Sequence, residues 1–397
     1  MQMPQINKSV PGTNRGKTVL LLGGGAPNFT LMSGALLALH EARIPRKFDT
    51  IAMAGAGAIV GLIYLAPKDG LSKTRALKNT VNFGISDAIY DMLPINYKTF
   101  AKSGRSADAF NNYWFSLPAV REAMRMHDRK MTDREKLWAD WLLFLGAAMC
   151  PTDLNFFSKG ICAHPRFIEE FIDFEKVRNI RTTEVEINAF DINKHSIHDF
   201  KNRDLARWPK ETLRAALSFP FIYPPSELNG HQYYEGAAFQ TLNKLTSIEQ
   251  IERFIILNPL RSNLIRAPDN LWDAYVQSII MPVVGIAESE VGPDRRLRSI
   301  DVSWMYYRGA LEQIRATMQR AGRKTRLSWR RKFEGMEWYS AELKIDDADV
   351  HNALGWKRSS LEKLFEFGHR AGKKLVTRLR KGDPTYKGHE LARLICD

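Results

Sequence analysis

The sequence predicts an α/β fold built on a mainly parallel sheet flanked by helices. Three observations lead there: an apolar run that stops at three glycines, helical spacing directly after it, and a second copy of the same strand, glycine turn and helix just downstream. Lys17–Leu22 (KTVLLL) is continuous in its apolar residues rather than alternating, which suits a strand covered on both faces. Gly23-Gly24-Gly25 permits a sharp turn at its end. Leu31, Ala35, Leu36 and Leu39 then recur at helical spacing and predict a helix over 30–40. The second unit has a strand over 48–53, a turn at Gly55-Ala56-Gly57 and a helix over 58–65, which Pro67 closes.

The character changes over 69–150, where aromatic clusters (Tyr113-Trp114-Phe115; Trp138, Trp141, Phe144) alternate with dense charge. Thr132 followed by Glu135 reads as a capping box that opens a helix. Strand composition returns at 184–191 and 254–257, and a helix through 213–217 must stop at Pro220. Beyond about residue 270 helical patterns dominate, most clearly over 299–321. The expected organisation is a flexible leader (1–16), a first core segment (17–68), a helical insertion or lid (69–150), a second core segment (151–268) and a basic helical C-terminal extension (269–397).

Composition narrows the function classes. With 397 residues, 44% hydrophobic and 11% aromatic, the chain is globular and neither disordered nor collagen-like nor a coiled coil. Three cysteines give no disulfide framework, which fits a reducing, cytoplasmic setting. The opening MQMPQINKSVPGTNRGK lacks the apolar stretch of an export signal. The apolar runs at 138–149 and 276–287 fall short of the ~20 residues that span a bilayer, and Asp140 interrupts the first. The net charge is +14, and 19 basic against 11 acidic side chains lie between Arg320 and Asp397. Such a segment favours anionic surfaces, a membrane or an acidic partner among them; a solvated helix face accounts for it equally well. Aromatic platforms do not interleave with these charges, so nucleic acid is not an expected partner.

Chemistry concentrates at the glycine turns. A glycine-rich turn after a buried strand frees backbone N–H groups to converge on an oxygen, although a turn needing positive φ explains Gly23, Gly24 and Gly25 as well. The second turn, AMAGAGAIV (52–60), has the small residues of a nucleophile elbow but no hydroxyl. Downstream, LRAALSFPFIYPP (213–225) is followed by Glu235-Gly236-Ala237, where a turn would project a carboxylate.

These landmarks, in order and approximate spacing from about residue 17 to 258, resemble the patatin-like phospholipases. The resemblance implies that Gly23, Gly24, Gly25 and Ala26 form the oxyanion loop and that Gly57 is the last elbow glycine. It also implies that 215–225 is the linking segment and that Glu235 stands in for the aspartate of a Ser/Asp dyad. Position 55 falls where the nucleophilic serine belongs, and Ala56 follows it. Gly55 has no side chain to attack a carbonyl, Met53 replaces the first elbow glycine, and Pro27-Asn28 departs from the family's oxyanion loop. The Ser/Asp dyad is therefore not intact.

Three explanations follow: a natural pseudo-hydrolase that binds an acyl or lipid ligand, or uses Glu235 as a general base; a working acyl hydrolase inactivated at position 55; or a displaced nucleophile such as Ser33 or Ser218. A rival reading takes Gly55, Gly57 and Gly61 as a dinucleotide fingerprint, but no acidic residue ends a strand about 20 residues on. A purely structural or partner-binding role predicts side chains plugging the space above Gly55. His195 and His198, or Cys150, Cys162 and His164, have metal-ligand residue types without a recognisable ligand spacing. No metal or cofactor is expected. Trp138, Trp141, Leu142 and Leu145 share one helix face, which packs as a core or touches a membrane.

Overall fold

The computed structural model describes residues 16–25, 27–125, 132–164, 166–243, 251–260, 262–268, 271–289, 335–343, 345 and 354–387. At its centre is a mixed sheet whose described strands are β1 (Lys17–Leu22), β2 (Thr50–Met53), β3 (Glu184–Asp191), β4 (Ser196–Lys201), β5 (Ser226–Leu228), β6 (His231–Glu235), β7 (Ile251–Leu257), β8 (Glu337–Ser340) and β9 (Tyr386–Lys387). The order is β5-β6-β3-β2-β1-β7-β8-β9, with β4 also on β3. The inner pairs β3-β2, β2-β1, β1-β7 and β7-β8 are parallel, and the outer pairs are antiparallel. Val19 to Leu22 of β1 are fully buried, as the unbroken apolar run requires of a central parallel strand.

Helix α1 (Phe29–Ala42) follows β1, and α2 (Ala56–Leu65) follows β2. Both begin one or two residues earlier than the apolar spacing suggests, because their first residues are set by the glycine turns. The predicted helix over 299–321 lies outside the described residues.

The C-terminal region is helical, as expected, but it also contributes strands. Four-residue β8 is too short to carry a periodic signal. It is selected by pairing: Trp338 stacks on Phe254 at 4.1 Å, and Glu337 accepts from Arg253 at 3.0 Å. The Arg358–Lys381 helix lies against α1 through small residues. A Cβ at Gly34 would overlap the Phe365 carbonyl oxygen, and one at Gly368 would overlap that of Leu31. Only glycine lets the two backbones approach this closely.

The Asp133–Met149 helix opens with the capping box, Thr132 Oγ1 accepting from the Glu135 N–H. Its Asp140, completely buried, is the charge that interrupts the apolar run. It pairs with Lys98 Nζ at 2.7 Å and Arg358 Nη2 at 2.5 Å, and it accepts from the Ser86 N–H. The helix is thus tied to the 86–98 segment and to the C-terminal helix. Asp140→Ala leaves two buried cations without their counter-ion, and the expected loss is about 3–5 kcal/mol. Urea midpoints would measure it; a change below ~1 kcal/mol would show that the network contributes little. Among the described residues no helix is long and apolar enough to cross a membrane.

Candidate active site

Pairing on β3 creates the site. β4 runs along one flank of β3 over 186–191, so β2 (opposite 184–187) and β6 (opposite 189–191) must share the other. β2 runs up to Met53 opposite Ile187, and β6 runs the other way to Glu235 opposite Ala189. The two strands therefore abut end to end. Gly55, just past β2, meets Glu235, the last residue of β6.

Gly55 has φ +47° and ψ −124°, a strained conformation that glycine adopts at little cost. The next N–H groups turn inward, Gly57 to the Ala54 carbonyl at 2.8 Å and Ala58 to the Gly55 carbonyl at 2.9 Å. The Ala56 N–H, at the positive end of α2, has no partner among the described residues. A Cβ placed on Gly55 would overlap Oε1 of Glu235 and come within 2.8 Å of the Ala237 Cβ. The carboxyl group thus occupies the volume that a side chain at position 55 would need.

Glu235 is anchored by its own N–H, which donates to the Ser218 carbonyl at 2.9 Å, and Gly236 leaves room for Asn188. No hydrogen bond or ion pair to the Glu235 carboxylate is found among the described residues. Burial in these surroundings pushes its pKa up to about 8. At neutral pH the group is mostly the neutral acid, able to donate as well as accept.

The triple-glycine turn reaches the same spot. A Cβ on Gly24 would meet that of Ala237 at 2.5 Å, so Gly24 and Gly55 converge on one alanine methyl, with the Glu235 carboxyl against Gly55. The expectation that Gly23 and Gly24 present free N–H groups is corrected here. Gly23 donates to the Leu257 carbonyl at 3.0 Å and Gly24 to that of Thr241 at 2.9 Å, which fastens the turn to the end of β7 and to the segment after β6. Gly25, at φ +114°, keeps an N–H without a partner among the described residues. Ala26 lies outside them. Gly25 and Ala56 are thus the described backbone donors of the predicted set that remain available.

A family model for patatin-like phospholipases matches residues 20–243, more than half of the chain, and includes Gly24, Gly55 and Glu235. The chain belongs to the patatin-like phospholipase family. Among solved structures, VipD from Legionella pneumophila aligns over 96% of this chain and 90% of its own, with 10% identity and a TM-score of 0.32. No curated protein sequence matches the chain.

Within this patatin-like core the rival candidates find other uses. Gly57 and Gly61 are packing glycines: a Cβ on Gly57 would sit 2.5 Å from the Leu22 carbonyl oxygen, and one on Gly61 would overlap Met53. Ser33 is buried in α1 and donates to Phe29. Among the described residues no group of three or more His, Cys, Asp or Glu could hold a metal ion. Cys150 lies against Ala107 and Asn111, while Cys162 joins the Tyr223 segment. Two surface recesses, of about 580 and 510 Å³, include Lys17 and Asp49 or Phe48 and Thr183, at the opposite end of the strands from Gly55.

Sequence reasoning did not anticipate the polar cluster beside Glu235. His164 Nε2 lies 3.0 Å from Ser218 Oγ, which also donates to the Arg214 carbonyl. The imidazole stacks on Tyr223 at 4.5 Å, and the Tyr223 hydroxyl donates to the Thr99 carbonyl. Burial, with Arg214 adding, pushes His164 down to about 4, so the ring is neutral at pH 7. The ordering signal is the strand-like contact of Cys162 with Ile222, a pairing that no local pattern announces. Close to the glycine turn, Asn28, Asn243 and Thr241 are buried with side-chain polar atoms that have no partner among the described residues, and so is the Asn258 amide nitrogen. This wall offers neutral donors and acceptors rather than charge.

Proposed function

We propose that this patatin-like protein binds an acyl or lipid ligand without serine hydrolysis. The observation that carries the reading is the exchange at one volume: position 55 has no side chain, and the Glu235 carboxyl fills the space. A neutral Glu235, with the Gly25 and Ala56 N–H groups, makes a set of donors for a carbonyl or carboxylate oxygen. Asn28 and Asn243 extend that set. A peripheral, cytoplasmic setting belongs to the same proposal.

A thermal-shift series with oleate and with monooleoylglycerol at pH 6.5 and 9.5 tests it. At ~100 times the dissociation constant a ligand adds about 2.7 kcal/mol, a rise of a few degrees. Both ligands are expected to stabilise the protein at pH 6.5. At pH 9.5 ionised Glu235 repels oleate, and only monooleoylglycerol retains its effect; Glu235→Gln restores the oleate shift. Should Glu235 act as a general base toward an ester, hydrolysis would instead rise with pH through about 8.

A second reading has a specific observation in its favour. The Glu235 carboxyl plugs the position above Gly55, and the Gly24 N–H is already spent on Thr241, as a structural or partner-binding scaffold would have it. No stabilisation by either ligand at either pH would select that reading over the first.

A further inference from the structure

The loop at 152–159, next in the chain to the residues that pair with Phe221 and Ile222, displays two adjacent aromatic rings to solvent. Phe156 is 96% exposed and Phe157 89%, with ring centroids 5.8 Å apart and nearly perpendicular. Isolated exposed apolar residues are ordinary, but two consecutive phenylalanines held out by a rigid turn are not. The turn is fastened by its own polar atoms. Asn155 Oδ1 accepts from the Phe157 N–H at 2.9 Å, Asn155 Nδ2 donates to the Asp153 carbonyl, and the Asn155 N–H donates to Ser158 Oγ. Asp153 ties the loop to its neighbour, its N–H donating to the Ser103 carbonyl and its carboxylate accepting from the Ser106 N–H.

The loop leads directly to the candidate site. Ile161 and Cys162 donate to the carbonyls of Phe221 and Ile222, and Ser218, just before them, receives the Glu235 N–H. Phe221 is itself 61% exposed, and Met149 and Leu154, close to the rings in the chain, are exposed as well. The exposed Arg105 and Lys159 flank the loop, while Lys102 donates to the Ala148 and Cys150 carbonyls. The Asp153 carboxylate, which accepts from the Ser106 N–H, leaves the two exposed cations in excess over it.

We infer that Phe156 and Phe157 form a wedge that inserts into an anionic phospholipid surface and seats the Glu235 site against it. A narrow convex tip has little area to match a protein groove, whereas a fluid interface closes around it. Its flanking cations complement acidic headgroups. The inference uses the acyl-ligand reading only to say where a ligand would come from; vesicle binding tests it separately.

The test is cosedimentation of the full chain with vesicles of phosphatidylcholine alone and of phosphatidylcholine mixed with phosphatidylglycerol. The wild type is expected to partition more strongly onto the mixed vesicles. Phe156→Ser/Phe157→Ser should lower that partition about a hundredfold, the equivalent of leaving two rings half-buried. Its melting temperature and its oleate shift should stay unchanged, because the rings touch solvent. Lys159→Glu should weaken binding to the mixed vesicles about tenfold and spare phosphatidylcholine. Equal partition of the double variant and the wild type overturns the wedge, as does a wild type that binds neither vesicle. A Lys159 variant indistinguishable on both vesicles overturns the anionic preference.

Discussion

Gly55→Ser alone is expected to give no hydrolysis of p-nitrophenyl butyrate above background, whereas Gly55→Ser combined with Glu235→Asp gives at least about a hundredfold more than either single change. The reason is spatial. A serine Cβ at position 55 collides with the Glu235 Oε1, so the hydroxyl and the carboxyl cannot occupy the site together. Shortening Glu235 by one methylene withdraws the carboxylate and returns the volume. The single variant should also lose at least about 2 kcal/mol, from φ +47° in a residue with a Cβ and from the overlap. The double variant relieves the overlap with the carboxylate but keeps the close Ala237 contact and the backbone strain. Rates on the ester and urea midpoints for all four proteins form a double-mutant cycle, and the coupling it yields is the measurement. Additive effects, with Gly55→Ser as active as the double variant, would show that the two positions do not share one volume. A double variant that folds yet stays inactive would place the deficit in the oxyanion turn, where Gly24 has already given its N–H to Thr241.

The parts of this arrangement that sequence made legible are those with local causes. Lys17–Leu22 announces a central strand because both of its faces are covered, and every residue of it can be apolar. The two glycine turns announce themselves because each backbone passes through a region or a gap that a side chain would block. Thr132 and Glu135 form their capping box from neighbouring atoms alone. The meeting of Gly55 with Glu235 has no local cause: it needs β3 to receive β2 and β6 on one flank, and the family resemblance supplied that pairing in advance. Nothing comparable was available for Gly24, whose N–H is claimed by a carbonyl more than 200 residues away, or for His164 against Ser218. Strand β8 was hidden for a related reason, since its four residues become a strand only through β7. Chain-distant pairings decide how many donors the site has left.

Glu235 also sets how stability changes with pH, and replacing it should reverse the trend. Its carboxyl ionises near 4.5 in the unfolded chain, and burial raises the folded value to about 8. The folded protein therefore holds a proton that the unfolded chain releases. This contribution is fully present below about pH 4.5 and is lost as pH rises through about 8, at about 1.4 kcal/mol per unit and approaching ~5 kcal/mol in total. His164 works in the opposite sense. Burial lowers it from 6.5 to about 4, so its contribution grows with pH until about 6.5 and is constant above. The two slopes offset between pH 4.5 and 6.5, and the wild type should be nearly flat there and then lose stability toward pH 8. Glu235→Gln removes the falling arm and keeps the shape of the side chain. The variant should gain stability up to pH 6.5, stay level to pH 8, and exceed the wild type by several kcal/mol at that end. Urea midpoints at pH 5, 6.5 and 8 for both proteins read this difference directly. Parallel profiles would mean that the carboxyl at 235 is ionised in the folded protein, and a site built around a neutral acid would fall with it.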